Sequence, residues 1–364
     1  MVKAYLLTTF LRLQTQEIAV LSVLALMAII LTYMLFYMYF KSVNEKRHHK
    51  WRPMVHELIH EAVFLDEDEA GPQPIPVPES VVKLMPKAHF RKLLIDEIMS
   101  VKKNMSGTAS DNLQKLFLQL KLEKYALKSL KSRKWYIKAK AIQELTVMEI
   151  DEFAALLYPY TNDQNEHVRM EAQSALVQFN GFEGLRFLDI ATYPISDWQQ
   201  IKLLQKLSGV PPSNIELDAW LKSTNDSVVV FALKLARNYQ RFELHDDILA
   251  CLDHEDSRVR TEAINFLALI STEETSDAFI SRFLGEEFKH QLAMINAMQH
   301  IVTEKDILFL ADLLGDDSYE MKRSAARALS KMGDRGMTVL QEHVQQSGYP
   351  LNEIVLQIKG ELAA

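Results

Sequence analysis

The sequence predicts an all-α protein in which a single transmembrane helix precedes a solenoid of paired helices. An uncharged apolar run of 23 residues extends from Ile18 to Phe40. The 364 residues include only 11 glycines and 11 prolines, which are too few for the many turns of an all-β fold. A seven-residue pattern recurs about every 31 residues between residues 137 and 321, and such a period is typical of helical solenoids.

Composition limits the class of protein. The formal net charge is −7 at pH 7, so the protein as a whole is not suited to binding polyanions. The single cysteine, Cys251, excludes an intramolecular disulfide. It lies in the apolar run 248–252, where we expect a buried and unreactive thiol.

The apolar run is long enough to cross a bilayer. At about 1.5 Å per residue, Ile18–Phe40 spans roughly 34 Å, and its distal end is rich in tyrosine and phenylalanine. Five lysines and arginines follow within residues 41–52, against only Lys3 and Arg12 before the run. The positive-inside rule therefore places residues 1–17 outside the cytoplasm and the C-terminal bulk at the cytoplasmic face of the inner membrane. A cleaved signal peptide is the alternative, but no small-residue cleavage motif follows the run.

Residues 41–131 are predicted to connect this helix to the repeats. The segment 41–65 is first basic and then amphipathic, with apolar residues at helical spacing from Val55 to Leu65. The segment 66–79 is acidic and then carries proline at alternate positions, which favours an extended, semi-rigid linker. We expect residues 80–131 to form a helical N-terminal cap.

Residues 132–345 contain the internal period. Its anchors are residues 137, 168, 198, 228, 259, 289 and 321. A period near 31 residues accommodates two helices of about a dozen residues each and two turns. Acidic or Asn/Ser-rich turns before the anchors suit the N-terminus of each second helix. Alanine follows six of the seven anchors at the fourth position, which allows close helix packing, and residues 346–364 are expected to form a capping helix.

The recurring shape Asp-x-x-Val-Arg-x-x-Ala, seen for example in Asp256–Ala263, resembles HEAT repeats of the short HEAT-like kind over residues 130–345. The resemblance implies a right-handed α-α superhelical solenoid that binds other proteins. The pattern departs at Trp198 and Lys289, which marks two specialised units. The whole layout also resembles bacterial membrane-anchored HEAT repeat proteins. That likeness implies a protein partner that is a membrane-bound enzyme, such as a glycosyltransferase.

The segment His56–His60 has the sequence His-Glu-x-x-His. On a helix, His56 and His60 would share a face and could hold zinc while Glu57 activates water, so a zinc-dependent hydrolase is the alternative function. A third ligand would have to come from Glu79 or Glu97, beyond the linker. We therefore expect a juxtamembrane helix with exposed histidines, in a protein that is not an enzyme and holds no cofactor.

The segment Lys121–Lys140 carries eight basic residues and one glutamate, for a net charge of +7. This segment could contact anionic lipid at the cytoplasmic leaflet or an acidic surface of the partner. Nucleic-acid binding is a less favoured hypothesis because the later repeats are acidic, and an ordinary solvated face is the plainest interpretation. The candidate contact residues are Lys121, Lys124, Lys128, Lys131, Arg133, Lys134, Trp135 and Lys138.

A basic residue follows the anchor in four repeats: Lys138, Arg169, Arg260 and Lys322. In HEAT-like arrays such residues pair with turn acids of neighbouring repeats, so the resemblance implies a structural ladder through Arg169, Arg260 and Lys322. The sequence thus predicts a membrane-tethered scaffold whose stacked second helices bind a protein.

Overall fold

The structure, a computed structural model, describes residues 2–65, 74–210, 217–270, 272–300 and 303–363. Within these ranges the regular structure is helical and no strand occurs, as the sequence predicts. Most of the expected linker, residues 66–73, lies outside the described residues. Contacts divide the chain into two compact units, Met1–Ile150 and Asp151–Ala364.

The first unit contains six α-helices within the described ranges. They are α1 (Val2–Val63), α2 (Glu79–Leu84), α3 (Ala88–Lys102), α4 (Thr108–Gln119), α5 (Glu123–Leu130) and α6 (Trp135–Val147). The sequence placed the change from cap to repeats between residues 131 and 132. However, α6 belongs to the first unit because it packs on α5 and α3.

Helix α1 continues without a break through the apolar run and beyond it. Its stretch Val20–Val43 is 24 residues long, has a mean hydropathy of 2.4 and is not buried against the rest of the protein, so it is long and apolar enough to cross a membrane. The sequence suggested a separate amphipathic helix from residue 53. The helix instead continues through Pro53. Proline removes only one backbone hydrogen bond, and the buried face formed by Trp51 and Val55 continues on both sides of it.

The C-terminal part of α1 belongs to the core of the first unit. Its buried positions recur at helical spacing: Trp51, Val55, Leu58, Ile59 and Ala62. They face α3 and α4, and Trp51 packs edge-on against Phe90 of α3 with ring centroids 5.6 Å apart. At the other end, the side-chain amide of Asn112 donates to the carbonyl of Leu65 over 2.9 Å. The apolar stretch is therefore a direct extension of a folded unit.

The second unit consists of helices in rapid succession. They are α7 (Ala154–Leu157), α8 (Glu166–Asn180), α9 (Asp197–Leu207), α10 (Leu217–Leu221), α11 (Asp226–Asn238), α12 (His245–Ala250), α13 (Ser257–Leu267), α14 (Glu273–Arg282), α15 (Phe288–Ala297), α16 (Glu304–Asp312), α17 (Tyr319–Lys331), α18 (Gly333–Ser347) and α19 (Leu351–Ala363).

The second helices of the repeats stack side by side in chain order. Helix α8 contacts α9, α11 contacts α13, α13 contacts α15, and α15 contacts α17. Between α9 and α11, the ammonium group of Lys234 donates to Gln200 over 2.8 Å. The first helices are shorter than the expected dozen residues, and several end in a 3-10 turn, as at Cys251–Asp253 and Leu313–Gly315. The predicted all-α solenoid is confirmed.

The register of two repeats differs from the sequence prediction. Val168, Val228, Val259 and Met321 are buried anchors, but Trp198 and Lys289 are exposed. Gln199 and His290, one position later, are buried in their place. The sequence pattern was aligned one residue early at these two repeats, because both buried side chains are polar and therefore gave no apolar signal.

Small residues and polar caps define the repeat contacts. The alanines four positions after the anchors are fully or almost fully buried at 141, 172, 232, 263 and 325, whereas Ala293 is half-buried. The side chains of Asn165, Asn225, Asp256 and Ser318 accept hydrogen bonds from the first backbone amides of α8, α11, α13 and α17. The caps Asn225 and Asp256 lie in the turns that the sequence indicated, whereas Asn165 and Ser318 follow the indicated turns 162–163 and 316–317 by two residues and one residue.

Candidate functional site

The His56–His60 motif lies on the exposed side of α1. The two histidines and Glu57 between them are all exposed. The Nε2 atom of His56 lies 3.4 Å from one carboxylate oxygen of Glu97, and the Nε atom of Arg52 donates to the other over 3.0 Å. Glu97 therefore joins two turns of α1 to α3.

The geometry around this motif gives each candidate ligand another contact. The ring of His60 packs against Phe64, with centroids 4.5 Å apart. Glu79, the second candidate for a third ligand, lies 3.2 Å from Lys83 on its own helix. Across the described ranges, no group of three His, Cys, Asp or Glu side chains is close enough to hold one metal ion. The visible role of His56 and Glu97 is to hold two helices together.

The basic stretch begins just before α5, covers the next turn and enters α6. Its exposed candidates are Lys121, Lys124, Lys128, Lys131, Arg133, Lys134 and Trp135, and Lys138 is half-buried. Trp135 packs edge-on against Tyr136 at 5.9 Å between ring centroids. Most of these side chains thus reach solvent, which suits contact with a charged surface.

Residues of α3, α5 and α6 line a groove of about 500 Å³. We call it the basic groove. Its walls carry Arg91 and Lys92 from α3, Tyr125 and Lys128 from α5, and Tyr136 and Lys140 from α6. Among the predicted contact residues, Lys128 alone lines this groove. Arg91 and Lys92 could not be assigned to this groove from the sequence, because they lie some thirty residues before the basic stretch and only the packing of α3 brings them to it.

Two cations of the basic groove are held in place. The guanidinium of Arg91 stacks 4.1 Å above the Tyr125 ring and donates to the carbonyl of Met85 over 2.6 Å. The ammonium of Lys140 lies 2.5 Å from Asp96. Lys92 and Lys128 are exposed at the rim, and no carboxylate of the described chain lies within ion-pair distance of either. The groove therefore combines two positive charges that are engaged by neighbouring groups with two exposed ones.

Glu144 is the carboxylic acid that lines the basic groove. Burial raises the pKa of its carboxyl to about 7; Lys140 and Lys92 lower this pKa and Asp96 raises it. A carboxyl of this kind is partly protonated near neutral pH. It then neutralises the surrounding cations less than an exposed glutamate would.

A second groove, of about 690 Å³, adjoins the first and shares Tyr125 and Lys128 with it. We call it the apolar groove. Its floor is formed by Val77, Val82, Met85 and Leu120, and Lys121 and Lys124 stand at its edge. Three of the predicted basic contact residues therefore line one groove or both.

The ladder residues Arg169 and Arg260 use the same geometry in their two repeats. Each guanidinium donates to two backbone carbonyls of the turn before its own helix, at 2.9 and 3.0 Å for Arg169 and at 2.8 and 2.9 Å for Arg260. Each also reaches the next repeat: Arg169 lies 4.3 Å above the ring of Tyr193, and Arg260 lies 2.9 Å from a carboxylate oxygen of Glu286. Lys322 is half-buried at the equivalent position of α17.

A buried histidine extends the contact made by Arg260. The Nδ1 atom of His290 lies 2.7 Å from Glu286, and its Nε2 atom lies 2.8 Å from the hydroxyl of Thr261. This arrangement resembles a nucleophile, base and acid in series. However, the Thr261 hydroxyl donates to the carbonyl of Ser257 over 2.8 Å, as an ordinary helical threonine does. The cluster links α13 to α15, and the sequence missed it because of the register error at Lys289.

Helix α9 presents an exposed aromatic side chain at the other displaced repeat. Trp198 is 61% exposed, and Ile201, three residues later on the same side, is 45% exposed. The ammonium of Lys202 lies 5.3 Å from the Trp198 ring.

Cys251 is buried as predicted, and burial raises the pKa of its thiol to about 11.

No protein-family profile matches the chain, and no curated protein matches it by sequence. Solved structures that are similar to the chain include the following three. An engineered protein has 16% identity and a TM-score of 0.37, with 76% of this chain and 86% of that chain covered. Human deoxyhypusine hydroxylase in complex with glycerol has 15% identity, a TM-score of 0.30 and coverage of 80% and 98%. Kap121p has 11% identity, a TM-score of 0.33 and coverage of 87% and 50%.

Proposed function

We propose that the chain is a membrane-tethered helical-repeat scaffold that binds a protein partner at the cytoplasmic face of the inner membrane. The observation that carries the proposal is the continuity of α1. Its apolar stretch Val20–Val43 is not buried against the rest of the protein, and the same helix then enters the core of the first unit. A contiguous apolar surface of this size is unfavourable in water and favourable in a bilayer.

The charge around the apolar stretch supports the cytoplasmic orientation. Five lysines and arginines lie in residues 41–52, directly after the stretch, against two before it. This asymmetry favours retention of the C-terminal side in the cytoplasm. Both units would then lie on that side.

The second unit supports the binding part of the proposal. Its second helices contact one another through side chains, as between Arg237 and Glu262 at 2.8 Å. Surface side chains that these contacts do not use remain available for a partner. Trp198 and Ile201 form an exposed apolar pair on α9. Tryptophan in such a position is typical of the centres of protein interfaces.

The kind of partner follows from the tether. A partner that lies in the same membrane meets the scaffold at a raised effective concentration, so modest contacts suffice. The resemblance to membrane-anchored HEAT repeat proteins favours a membrane-bound enzyme, such as a glycosyltransferase. A zinc-dependent hydrolase through His56, Glu57 and His60 and a nucleic-acid binder through Lys121–Lys140 are the alternative functions, and no contact described above favours either.

A pull-down from detergent-solubilised membranes tests the proposal. The full chain, a chain cut after residue 65 and the full chain with Trp198→Ser are used as bait. We expect one membrane protein to be enriched by the full chain, lost with the cut chain and reduced about tenfold or more by Trp198→Ser, because interface tryptophans commonly contribute 2 kcal/mol or more. Leu356→Ser, which changes an exposed leucine of α19, is the matched control. Equal recovery by the full and the cut chain would contradict the proposal.

A further inference from the structure

The basic groove and the apolar groove lie close to the membrane end of the first unit. Trp51 lies eight positions after Val43, the end of the apolar stretch, which corresponds to about 12 Å along a helix. Trp51 packs against Phe90, and Arg91 and Lys92 follow Phe90 directly in α3. On a straight α1 perpendicular to the bilayer, with a headgroup layer about 5–7 Å thick, these cations would lie within about one Debye length of the lipid phosphates.

We propose that the basic groove binds the phosphate headgroup of an anionic phospholipid of the membrane that α1 enters. The proposal rests on the tethering function proposed above. It adds a specific ligand class and a specific site, made by α3, α5 and α6.

The charges of the groove fit a lipid phosphate. Arg91 is fixed by its stacking on Tyr125 and its hydrogen bond to Met85, so its remaining donors are oriented in advance. Lys92 and Lys128 at the rim can approach the same phosphate from opposite walls. The acids that face the groove are Glu144 on its wall and Asp96, which is already engaged by Lys140. The balance of charge therefore favours an anion.

The neighbouring apolar groove favours a lipid over a soluble phosphate compound. Val82 is 52% exposed, and Val77, Met85 and Leu120 continue the same apolar floor next to Tyr125. A ligand that occupies both grooves has a negatively charged head and an apolar part, as a phospholipid has. A small sugar phosphate or nucleotide would leave the apolar floor uncovered. The volume of about 500 Å³ for the basic groove is in the usual range for ligand sites.

Native mass spectrometry of the full chain in a neutral detergent tests this proposal. The probes are phosphatidylglycerol, phosphatidylcholine and glycerol 3-phosphate. We expect one phosphatidylglycerol to bind per chain about tenfold more tightly than phosphatidylcholine, because the basic residues of the groove attract the anionic headgroup. Glycerol 3-phosphate should not displace the lipid at the same concentration.

Matched charge variants locate the site. The Lys92→Gln/Lys128→Gln variant should lose the preference for phosphatidylglycerol to within about twofold, while Lys103→Gln/Lys331→Gln, which removes two exposed lysines elsewhere, should keep it. Thermal melting shows that each variant is folded, and the single change Lys128→Gln gives an intermediate loss.

Three results would overturn the proposal: equal binding of the two lipids, a groove variant that binds like the wild type, and displacement by glycerol 3-phosphate, which would indicate a soluble phosphate ligand. The measurement is made in detergent, so a failure here is distinct from a failure of membrane tethering.

Discussion

The indole of Trp51 packs edge-on against the ring of Phe90, with centroids 5.6 Å apart and ring planes at 88°. Both side chains are buried, and they belong to α1 and α3. This contact lies eight residues beyond the apolar stretch, so it joins the part of α1 that can cross a membrane to the core of the first unit. The apolar stretch is therefore a continuation of a helix whose next part is fixed in a folded core.

The packing between repeats predicts that a charged side chain at position 263, in place of Ala263, strongly destabilises the protein. This side chain is fully buried in α13, where α11 and α15 pack. Ala263→Glu should lower the free energy of unfolding by several kcal/mol, about 4 or more, because a carboxylate would enter a dry helix contact. Thermal melting followed by circular dichroism measures the effect. Ala250→Glu, at an exposed alanine of the preceding helix α12, is the control and should change stability by less than about 0.5 kcal/mol. Equal melting of the two variants would show that α13 does not pack as described.

Two glycines should respond to alanine in opposite directions. A Cβ atom at Gly336 in α18 would lie 2.0 Å from the backbone carbonyl oxygen of Leu329, which cannot move aside. Gly336→Ala should therefore destabilise the protein by about 1–3 kcal/mol. A Cβ atom at Gly360 in α19 meets nothing within 4 Å, so Gly360→Ala should stabilise that helix by roughly 0.5–1 kcal/mol. Chemical denaturation of both variants measures the two values, and a neutral Gly336→Ala would contradict the α17–α18 packing.

Stability should depend on pH through Glu144. Its pKa is raised to about 7 in the folded protein, whereas an unfolded chain releases the proton near pH 4.5. Between these values the folded state binds more protons, so the free energy of unfolding should fall as pH rises from about 4.5 to 7, by up to roughly 3 kcal/mol. Glu144→Gln removes this contribution, and its stability relative to the wild type should rise over that range and level off above it.

Urea denaturation at pH 5, 6, 7 and 8 measures this dependence. Glu61→Gln, at an exposed glutamate of α1, is the control and should leave the wild-type pH profile unchanged. A Glu144→Gln profile parallel to that of the wild type would contradict the buried, protonated state of this carboxyl.

Metal analysis tests the alternative function. His56 contacts Glu97, and His60 packs on Phe64, so we expect the purified full chain to contain no stoichiometric zinc. His60→Ala should leave metal content and melting temperature unchanged within error, because the His60 side chain is exposed. One zinc ion per chain that is lost in His60→Ala would instead favour the hydrolase.

The sequence predicted the helical architecture because apolar periodicity and alanine at the packing position are strong local signals, as at Val259 and Ala263. It did not predict the register at Gln199 and His290, since a buried polar side chain is indistinguishable from an exposed one until its partner is known. The partner of His290 is Glu286, which also receives Arg260 from another helix. Such three-way contacts depend on tertiary packing and leave no periodic signal.

The basic groove could also be predicted only in part from the sequence. The cluster Lys121–Lys140 was visible as a run of charge, but the groove also needs Arg91 and Lys92, and these reach it only through the packing of α3. The continuity of α1 through Pro53 was hidden for a different reason. Proline commonly ends a helix, and the buried face that carries the helix past it is defined by contacts with α3 and α4.

Membrane fractionation of the full chain and of the chain without residues 1–48 tests whether the apolar stretch of α1 holds the protein in a membrane. The cut keeps Trp51 and its contact with Phe90, so the first unit should stay folded. We expect the full chain to remain in the membrane after alkaline carbonate washing with its N-terminus intact by mass spectrometry, and the shortened chain to be soluble and helical. Full-length protein in the soluble fraction, an N-terminus cleaved after the apolar stretch, or a shortened chain that stays in the membrane after the same wash would contradict this expectation.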